Sequence, residues 1–384
     1  MVDSNASGAT RVALLEPIRG LAALAVVAHH IEQVKALLGI PNEWTNPVVQ
    51  SLGNAGVDLF FCLSGFVITR SALLQIRQTG KFLIGRFLAR RALRILPLYF
   101  LAVGFAFSGL PSRLIGLGGA VTELLQTMLQ QRDDNYSAVL QLYLAGLPNV
   151  ALLEYPTVPF VSQLWSVGAE LQFYAAWGIF LYAVQNVWTA ALLAIVIKVY
   201  LPTIISFATT ASGISSDALG ATFVQHILGT IHGDYLLAGI AGAGLLGVSG
   251  GLRQTYSAPA ALPAIIFSMV VAFLMFRHAI PQTQYVAPLV AGGLVTLPAV
   301  FRGGQASRVA TFLGRISFSI YVWHLWVIGC VMIFVERTMG FASWGISSDT
   351  YAYVLTAGLT IGVAHLSFRW IERPFLALAG RFEV

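Results

Sequence analysis

Apolar residues run along this chain in blocks of about 20, the length a helix needs to cross a hydrocarbon core. Such blocks fall at 12–31, 53–72, 90–109, 164–185, 187–207, 220–248, 261–277, 283–301, 312–335 and 350–371. The sixth exceeds one straight span. Its glycines at 239, 242, 244 and 247 predict a kinked or broken helix packed closely on a neighbour. The stretch 110–163 breaks the rhythm, with Arg132, Asp133, Asp134 and Asn135 and prolines at 148, 156 and 159. It reads as an interfacial, re-entrant or folded-loop segment. The run after Arg11 reads as a retained first helix, because Glu16, Pro17 and Arg19 interrupt any signal-peptide core. The pattern predicts an all-α, polytopic membrane protein of about ten transmembrane helices, organised as one domain over 1–384 with no internal repeat.

Composition supports this. Of 384 residues, 57% are hydrophobic and only 10% charged, against about 25% charged in a soluble domain. The 22 Lys+Arg and 16 Asp+Glu cannot coat a soluble fold of this size, and mean hydropathy is +0.77. An ordinary soluble enzyme, a disordered chain and a coiled coil are excluded. The net charge of +6 does not point to nucleic acid, because the cations gather in short loops between apolar blocks. The densest set is Arg70, Arg77, Lys81, Arg86, Arg90, Arg91 and Arg94. The positive-inside rule places that loop in the cytoplasm, and with ten spans both termini join it. Cys62 and Cys330 form neither a zinc pattern nor a disulfide framework.

Ionisable side chains inside spans are costly and usually face a polar interior. Arg19 and His30 lie eleven residues apart in the first block, on nearly one helix face and about 16 Å apart along the axis. His30, Asp58 and Glu170 fall at one depth in the outer half, on three different helices, which predicts a polar cavity there. His324 falls near the midplane. Each residue also has a plainer reading. His30 suits a hydrated interfacial histidine, Asp58 a cap on a late-starting helix, and Glu170 a structural counter-charge for Arg19. His29 and His278 read as boundary residues. His226 and His232 lack metal-ligand spacing, and no metal site is expected. Arg90, Arg91 and Arg94 suit both a topology signal and bidentate phosphate binding.

Read together, the local motifs resemble the acyltransferase-3 family of integral membrane acyltransferases. They are Glu16-Pro-Ile-Arg-Gly-Leu-Ala-Ala-Leu through His29-His30, with its Arg19, ten residues, His30 spacing; Gly56-Val-Asp-Leu-Phe-Phe-Cys-Leu-Ser-Gly-Phe66; Arg90-Arg-Ala-Leu-Arg-Ile-Leu-Pro-Leu-Tyr99; Gln163-Leu-Trp-Ser-Val-Gly-Ala-Glu-Leu-Gln-Phe-Tyr174; Leu313-Gly-Arg-Ile-Ser-Phe-Ser-Ile-Tyr-Val-Trp-His324; and Ile371-Glu-Arg-Pro-Phe375. The resemblance implies transfer of an acyl group, usually acetyl, from cytoplasmic acyl-CoA to a hydroxyl of a carbohydrate displayed outside or built at the membrane. It also implies a bacterial inner-membrane location, with possible oligomeric or glycan-synthesis partners. Some members carry a further extracytoplasmic hydrolase-like domain; none is expected here.

An alcohol needs a base to attack a thioester at neutral pH, and histidine has the right intrinsic affinity for the proton. His30 is the expected base, with Asp58 or Glu170 orienting its ring. Arg19, Arg90, Arg91, Arg94 and Tyr99 are the expected donor-binding set, with the pantetheine arm running past Arg19 to His30. Ser64, Tyr174 and His324 are secondary candidates, Ser64 or Ser166 as a covalent carrier and His324 as a structural partner or second base. No bound cofactor is expected; acetyl-CoA enters as a substrate. The competing class is a proton-coupled transporter using the same buried groups, which inverted repeats would favour; none is visible.

Overall fold

A computed structural model of the protein describes residues 15–115, 119–212, 233–248, 288, 290–295, 307–341 and 345–382. The expected spans at 261–277 and most of 283–301, the first half of 220–248, and His226, His232 and His278 lie outside the described residues. Those described are all-helical. In chain order they form α1 (Leu15–Leu37), α2 (Pro47–Thr79), α3 (Ile84–Phe107), α4 (Leu110–Ile115), α5 (Ala120–Asp133), α6 (Tyr136–Leu144), α7 (Pro148–Glu154), α8 (Trp165–Val184), α9 (Val187–Ser212), α10 (Gly233–Val248), α11 (Arg308–Arg315), α12 (Ser317–Met339), α13 (Ile346–Ser367) and α14 (Arg373–Ala379). A wider π turn over Phe368–Glu372 joins α13 to α14.

Four stretches among the described residues are long and apolar enough to cross a membrane: Pro47–Thr79, Ser162–Val184, Ser317–Met339 and Ile346–Phe382. α1 and α3 match them in length. Their ionisable residues, Arg19, Glu32 and Lys35 on α1 and Arg86 to Arg94 on α3, lower their apolarity. The two helices that carry Arg19, His30 and the arginine cluster are thus less apolar than these four.

Element ends follow local chemistry. α2 starts six residues earlier than the apolar block, because Asn46 accepts the Val48 N–H at 3.0 Å and Pro47 occupies the first turn. Asp58 therefore sits three turns inside the helix and caps nothing, which corrects the capping alternative. α1 runs past the expected boundary at 31 because Glu32 and Lys35 pair within it at 2.7 Å. The expected block at 312–335 is two helices, α11 and α12, with Ile316 at the joint. The ambiguous segment 110–163 folds as the short helices α4 to α7 and a tight turn at Ser162–Leu164.

α2 is the central element, packed along α10 on one side and α1 on the other; α12 joins α1 and α13, and α3 contacts α8 and α14. The α2–α10 contact is backbone on backbone. A Cβ added at Gly239 would lie 2.1 Å from the Cys62 carbonyl oxygen, and one at Gly65 would lie 2.2 Å from that of Leu236. Two glycines thus face each other's helices reciprocally, as helices in lipid pack when small residues admit close approach. Gly244 plays a similar part against the Trp188 ring.

Gly239→Leu should separate α10 from α2 and destabilise the protein by about 1–3 kcal/mol, seen as a lower apparent melting temperature in detergent. Gly104→Ala, at a position with nothing within 4 Å of the added methyl, should leave that temperature unchanged.

Candidate functional site

The motif-bearing segments converge on a cavity of about 570 Å³, open mouth included, walled by α1, α2, α3, α8 and α12. Its polar lining is Arg19, Ser64, Arg94, Ser166, Glu170, Ser317 and Tyr321. Two guanidinium groups face one carboxylate there, so the lining favours an anion. Glu170 Oε1 accepts hydrogen bonds from the Ser64 and Tyr174 hydroxyls. Arg19 and Glu170 share the wall without an ion pair between them. Behind it, Arg91 lies 5.6 Å from the centre of the Tyr174 ring and 5.8 Å from that of Phe87.

The Nε atoms of Arg19 and Arg91 are buried without a hydrogen-bond partner. Buried guanidinium donors left unpaired are rare and costly. A phosphate or carboxylate oxygen is the natural complement for such groups. The π turn before α14 reaches this end: Glu372 is buried, its Oε1 accepts the Ser319 hydroxyl, and its carboxylate lies near Arg94 and Arg19.

The other end of α1 holds an imidazole pair. His324 is fully buried, and its Nε2 lies 3.2 Å from Nδ1 of His30. His324 Nδ1 is 2.7 Å from the Tyr321 carbonyl, and His30 Nδ1 is 2.9 Å from the Val26 carbonyl. A carbonyl can only accept, so both Nδ1 atoms carry protons. His324 Nε2 is then a lone pair that shares the His30 Nδ1 proton. His30 is left with an unprotonated Nε2, the form a general base requires.

Several expected residues take other places. Neither expected carboxylate touches the His30 ring: Glu170 is held by Ser64 and Tyr174, and Asp58 accepts from the Tyr235 hydroxyl on α10. The ring is set by Val26 and His324 instead. Arg90 reaches the Phe382 carbonyl at 3.2 Å and Ser71 at 3.4 Å, fastening the segment after α14 to α3 and α2. Tyr99 is fully buried and donates to the Tyr143 carbonyl at 2.6 Å, holding α6 on α3 away from the cavity. The cavity lining includes neither Arg91 nor His30. Tyr321 joins the two halves, since its side chain lines the cavity and its carbonyl fixes His324.

Tyr321, in the motif that ends at His324, has a role that its position in the sequence does not show. Its hydroxyl donates to the Gln163 carbonyl at 2.8 Å and lies 2.6 Å from Ser166 Oγ. Gln163 in turn donates to the Val322 carbonyl at 2.8 Å, so the turn before α8 is stitched to α12. The polar positions at 163, 166 and 321 inside apolar runs were the available signal. Also missed was a group built on the buried Glu32 and Lys35 with the partly exposed Asp349 and Tyr353. Lys35 bridges Glu32 and Asp349, both at 2.7 Å, and Tyr353 donates to Glu32 at 2.7 Å.

Comparison with known proteins identifies the family. The family model described as "Acyltransferase domain", acyltransferase-3, matches residues 14–369. The protein named "Putative O-acetyltransferase" in Staphylococcus aureus (strain COL) is 24% identical over 400 residues, covering 94% of this chain and 56% of its own length; the chain thus spans about half of that relative. Exopolysaccharide production protein ExoZ of Rhizobium meliloti (strain 1021) is 26% identical over 348 residues, 85% of this chain and 90% of its own. Acyltransferase MdmB of Streptomyces mycarofaciens is 24% identical over 393 residues, 97% and 93% respectively. No solved structure matches. With its apolar helices, its motifs in order and a family match over nearly its whole length, the chain belongs to the acyltransferase-3 family of membrane acyltransferases.

Proposed function

We propose that this protein transfers an acyl group, acetyl in the first instance, from cytoplasmic acyl-CoA to a hydroxyl of a carbohydrate outside the bilayer or associated with it. The observation that carries the reading is the cationic cavity of Arg19 and Arg94, with the buried Arg19 Nε unpaired. Its lining is suited to an anionic, polar-armed donor. The carbohydrate acceptor draws support from the name of the Rhizobium relative, which ties that protein to exopolysaccharide production.

α1 is continuous from Leu15 to Leu37, so Arg19 and His30 stand about 16 Å apart. Arg19 is then too far to stabilise charge at a carbonyl attacked beside His30, and it serves the donor's phosphates together with Arg94. The thioester reaches His30 on the flexible pantetheine arm. His30 Nε2 takes the acceptor's proton as its oxygen attacks the thioester carbonyl. The tetrahedral intermediate expels CoA thiolate, which recovers the proton from His30. Holding the two reactants together supplies much of the rate. His324 keeps the His30 ring in the tautomer this cycle needs.

One observation favours a second route. Ser64 donates to Glu170, so a serine and a carboxylate acceptor already meet in the cavity, as an acyl-serine intermediate would require. We rank it below direct attack because the same Glu170 oxygen also accepts from Tyr174 and is already engaged twice.

His30→Ala should fold and still bind acyl-CoA, yet lose acceptor-dependent CoA release by about 10²–10⁴-fold; near-normal release would remove His30 as the base. Arg94→Ala should raise the KM for acetyl-CoA about tenfold, with kcat changed by less than about threefold; an unchanged donor KM would place the phosphates elsewhere. Ser64→Ala should keep kcat within about threefold. Radiolabelled acetyl retained on the wild-type protein and abolished in Ser64→Ala would instead establish the covalent route.

A further inference from the structure

Four rings stand in a row from the 38–46 loop into the core. Trp44 is 4.9 Å from His29, His29 is 5.0 Å from His30, and His30 is 4.8 Å from His324, measured between ring centres. Exposure falls along the row: Trp44, His29 and His30 are partly exposed, and His324 is fully buried. The first two rings have no part in the chemistry assigned to His30, yet both are held in place by specific contacts.

His29 Nδ1 donates to the Val49 carbonyl at 3.1 Å. The ring lies directly over Gly53 of α2, where an added Cβ would come within 2.6–2.8 Å of three of its atoms. The Gln50 carbonyl also lies against the ring; with the proton of the neutral ring held on Nδ1 for Val49, Nε2 is the nitrogen left to accept a hydroxyl proton. Trp44 meets that ring at 62°, edge against face. Its backbone is fixed from below: the Trp44 N–H donates to Asn42 Oδ1 at 3.0 Å, and the neighbouring Glu43 N–H donates to the buried Glu32 carboxylate. Glu32 is itself tied to Lys35 and Tyr353. The buried ion network beneath α1 thus ends in the loop that presents Trp44.

Aromatic belts at membrane surfaces need only that a tryptophan face the headgroup region. They require neither a buried carboxylate under the loop nor a ring-on-ring contact with the residue beside the base. An indole fixed next to a hydroxyl acceptor, one ring away from a general base, fits a saturated ring that has an apolar C–H face and polar edges.

We infer that Trp44 and His29 form the acceptor subsite, Trp44 stacking on the C–H face of a glycosyl ring and His29 Nε2 accepting one of its hydroxyls, so that a neighbouring hydroxyl is delivered to His30. This rests on the acyl-transfer reading and names its acceptor side. No bond is made or broken at the subsite.

The full chain in lipid nanodiscs tests it, with acetyl-CoA as donor, methyl glucoside and methyl galactoside as ring acceptors, and glycerol as a hydroxyl acceptor without a ring. Trp44→Ala should lower kcat/KM for the glycosides about tenfold, with glycerol-dependent CoA release and the donor KM unchanged; Trp44→Phe should restore most of the loss. Equal loss with glycosides and glycerol, or full glycoside activity in Trp44→Ala, would overturn the subsite. Intrinsic fluorescence reads binding separately: methyl glucoside should shift the wild-type emission, and the Trp44→Phe difference spectrum should lose that shift. If the wild type transfers no acetyl group at all, the acyl-transfer reading fails, and the fluorescence arm alone then decides the subsite. An identical response in wild type and Trp44→Phe, or none in either, counts against it, and a shift caused by changing lipid headgroups but not by glycoside would make Trp44 a membrane anchor.

Discussion

Charge inside an apolar helix bundle must be answered by other charge, by hydrogen bonds or by a ligand, and this constraint divides the structure in two. Along the C-terminal half of α1 it is answered internally. Lys35 and Glu32, each 1% exposed, are closed by Asp349 and Tyr353, and that group fixes α1 to α13. Around the N-terminal half the answer is incomplete. Arg19, Arg91 and Arg94 stand near Glu16, Glu170 and Glu372 without closing into ion pairs, and the buried Nε atoms of Arg19 and Arg91 remain unpaired. A closed network stabilises a fold, whereas buried guanidinium donors left open suit an anionic ligand. The difference between the two clusters, more than the presence of charge in either, separates architecture from binding.

α1 connects them. A straight helix fixes the distance between its residues more reliably than loops can, and the eleven residues from Arg19 to His30 set the proposed donor-binding and proton-transfer groups about 16 Å apart. Such a separation requires a donor whose anchored part and reacting part lie at two ends of an extended arm. The glycine-to-backbone contacts that seat α10 on α2 keep the middle of the bundle close-packed, and the cavity opens on the opposite side of α2, between α1, α3, α8 and α12.

Much of this was legible in the sequence. Helical character followed from block length and composition, and the Arg19–His30 register followed from helix geometry alone. Arg94, Ser64 and Glu170 converge because each sits in a short motif, and a motif fixes its own local geometry. Pairings between motifs were not legible. Depth along a helix suggested that Asp58 and Glu170 would meet His30, but depth says nothing about azimuth. Asp58 turns towards Tyr235, Glu170 towards Ser64, and the partner of His30 comes from α12, 294 residues along the chain. Arg90 and Arg91 are adjacent on α3 and so point about 100° apart. One ties down the segment after α14, and the other packs behind Tyr174.

The choice of a second imidazole in place of a carboxylate beside His30 has an electrostatic logic of its own. A buried Asp–His pair would carry a full negative charge at rest, and in an apolar bundle that charge would need a further cation to hold it. Two neutral rings fixed by backbone carbonyls need none. In the proposed reaction, as His30 accepts a proton from the acceptor hydroxyl, the positive charge on the ring and the negative charge on the attacked oxygen appear together, a few ångströms apart. The transition state is then a local dipole, and its cost in a low-dielectric setting is far below that of an isolated charge. His324 spreads the ring's charge through its shared proton without adding one. In the proposed reaction the reacting end therefore stays neutral at rest, while the Arg19 and Arg94 lining at the other end suits an anionic donor.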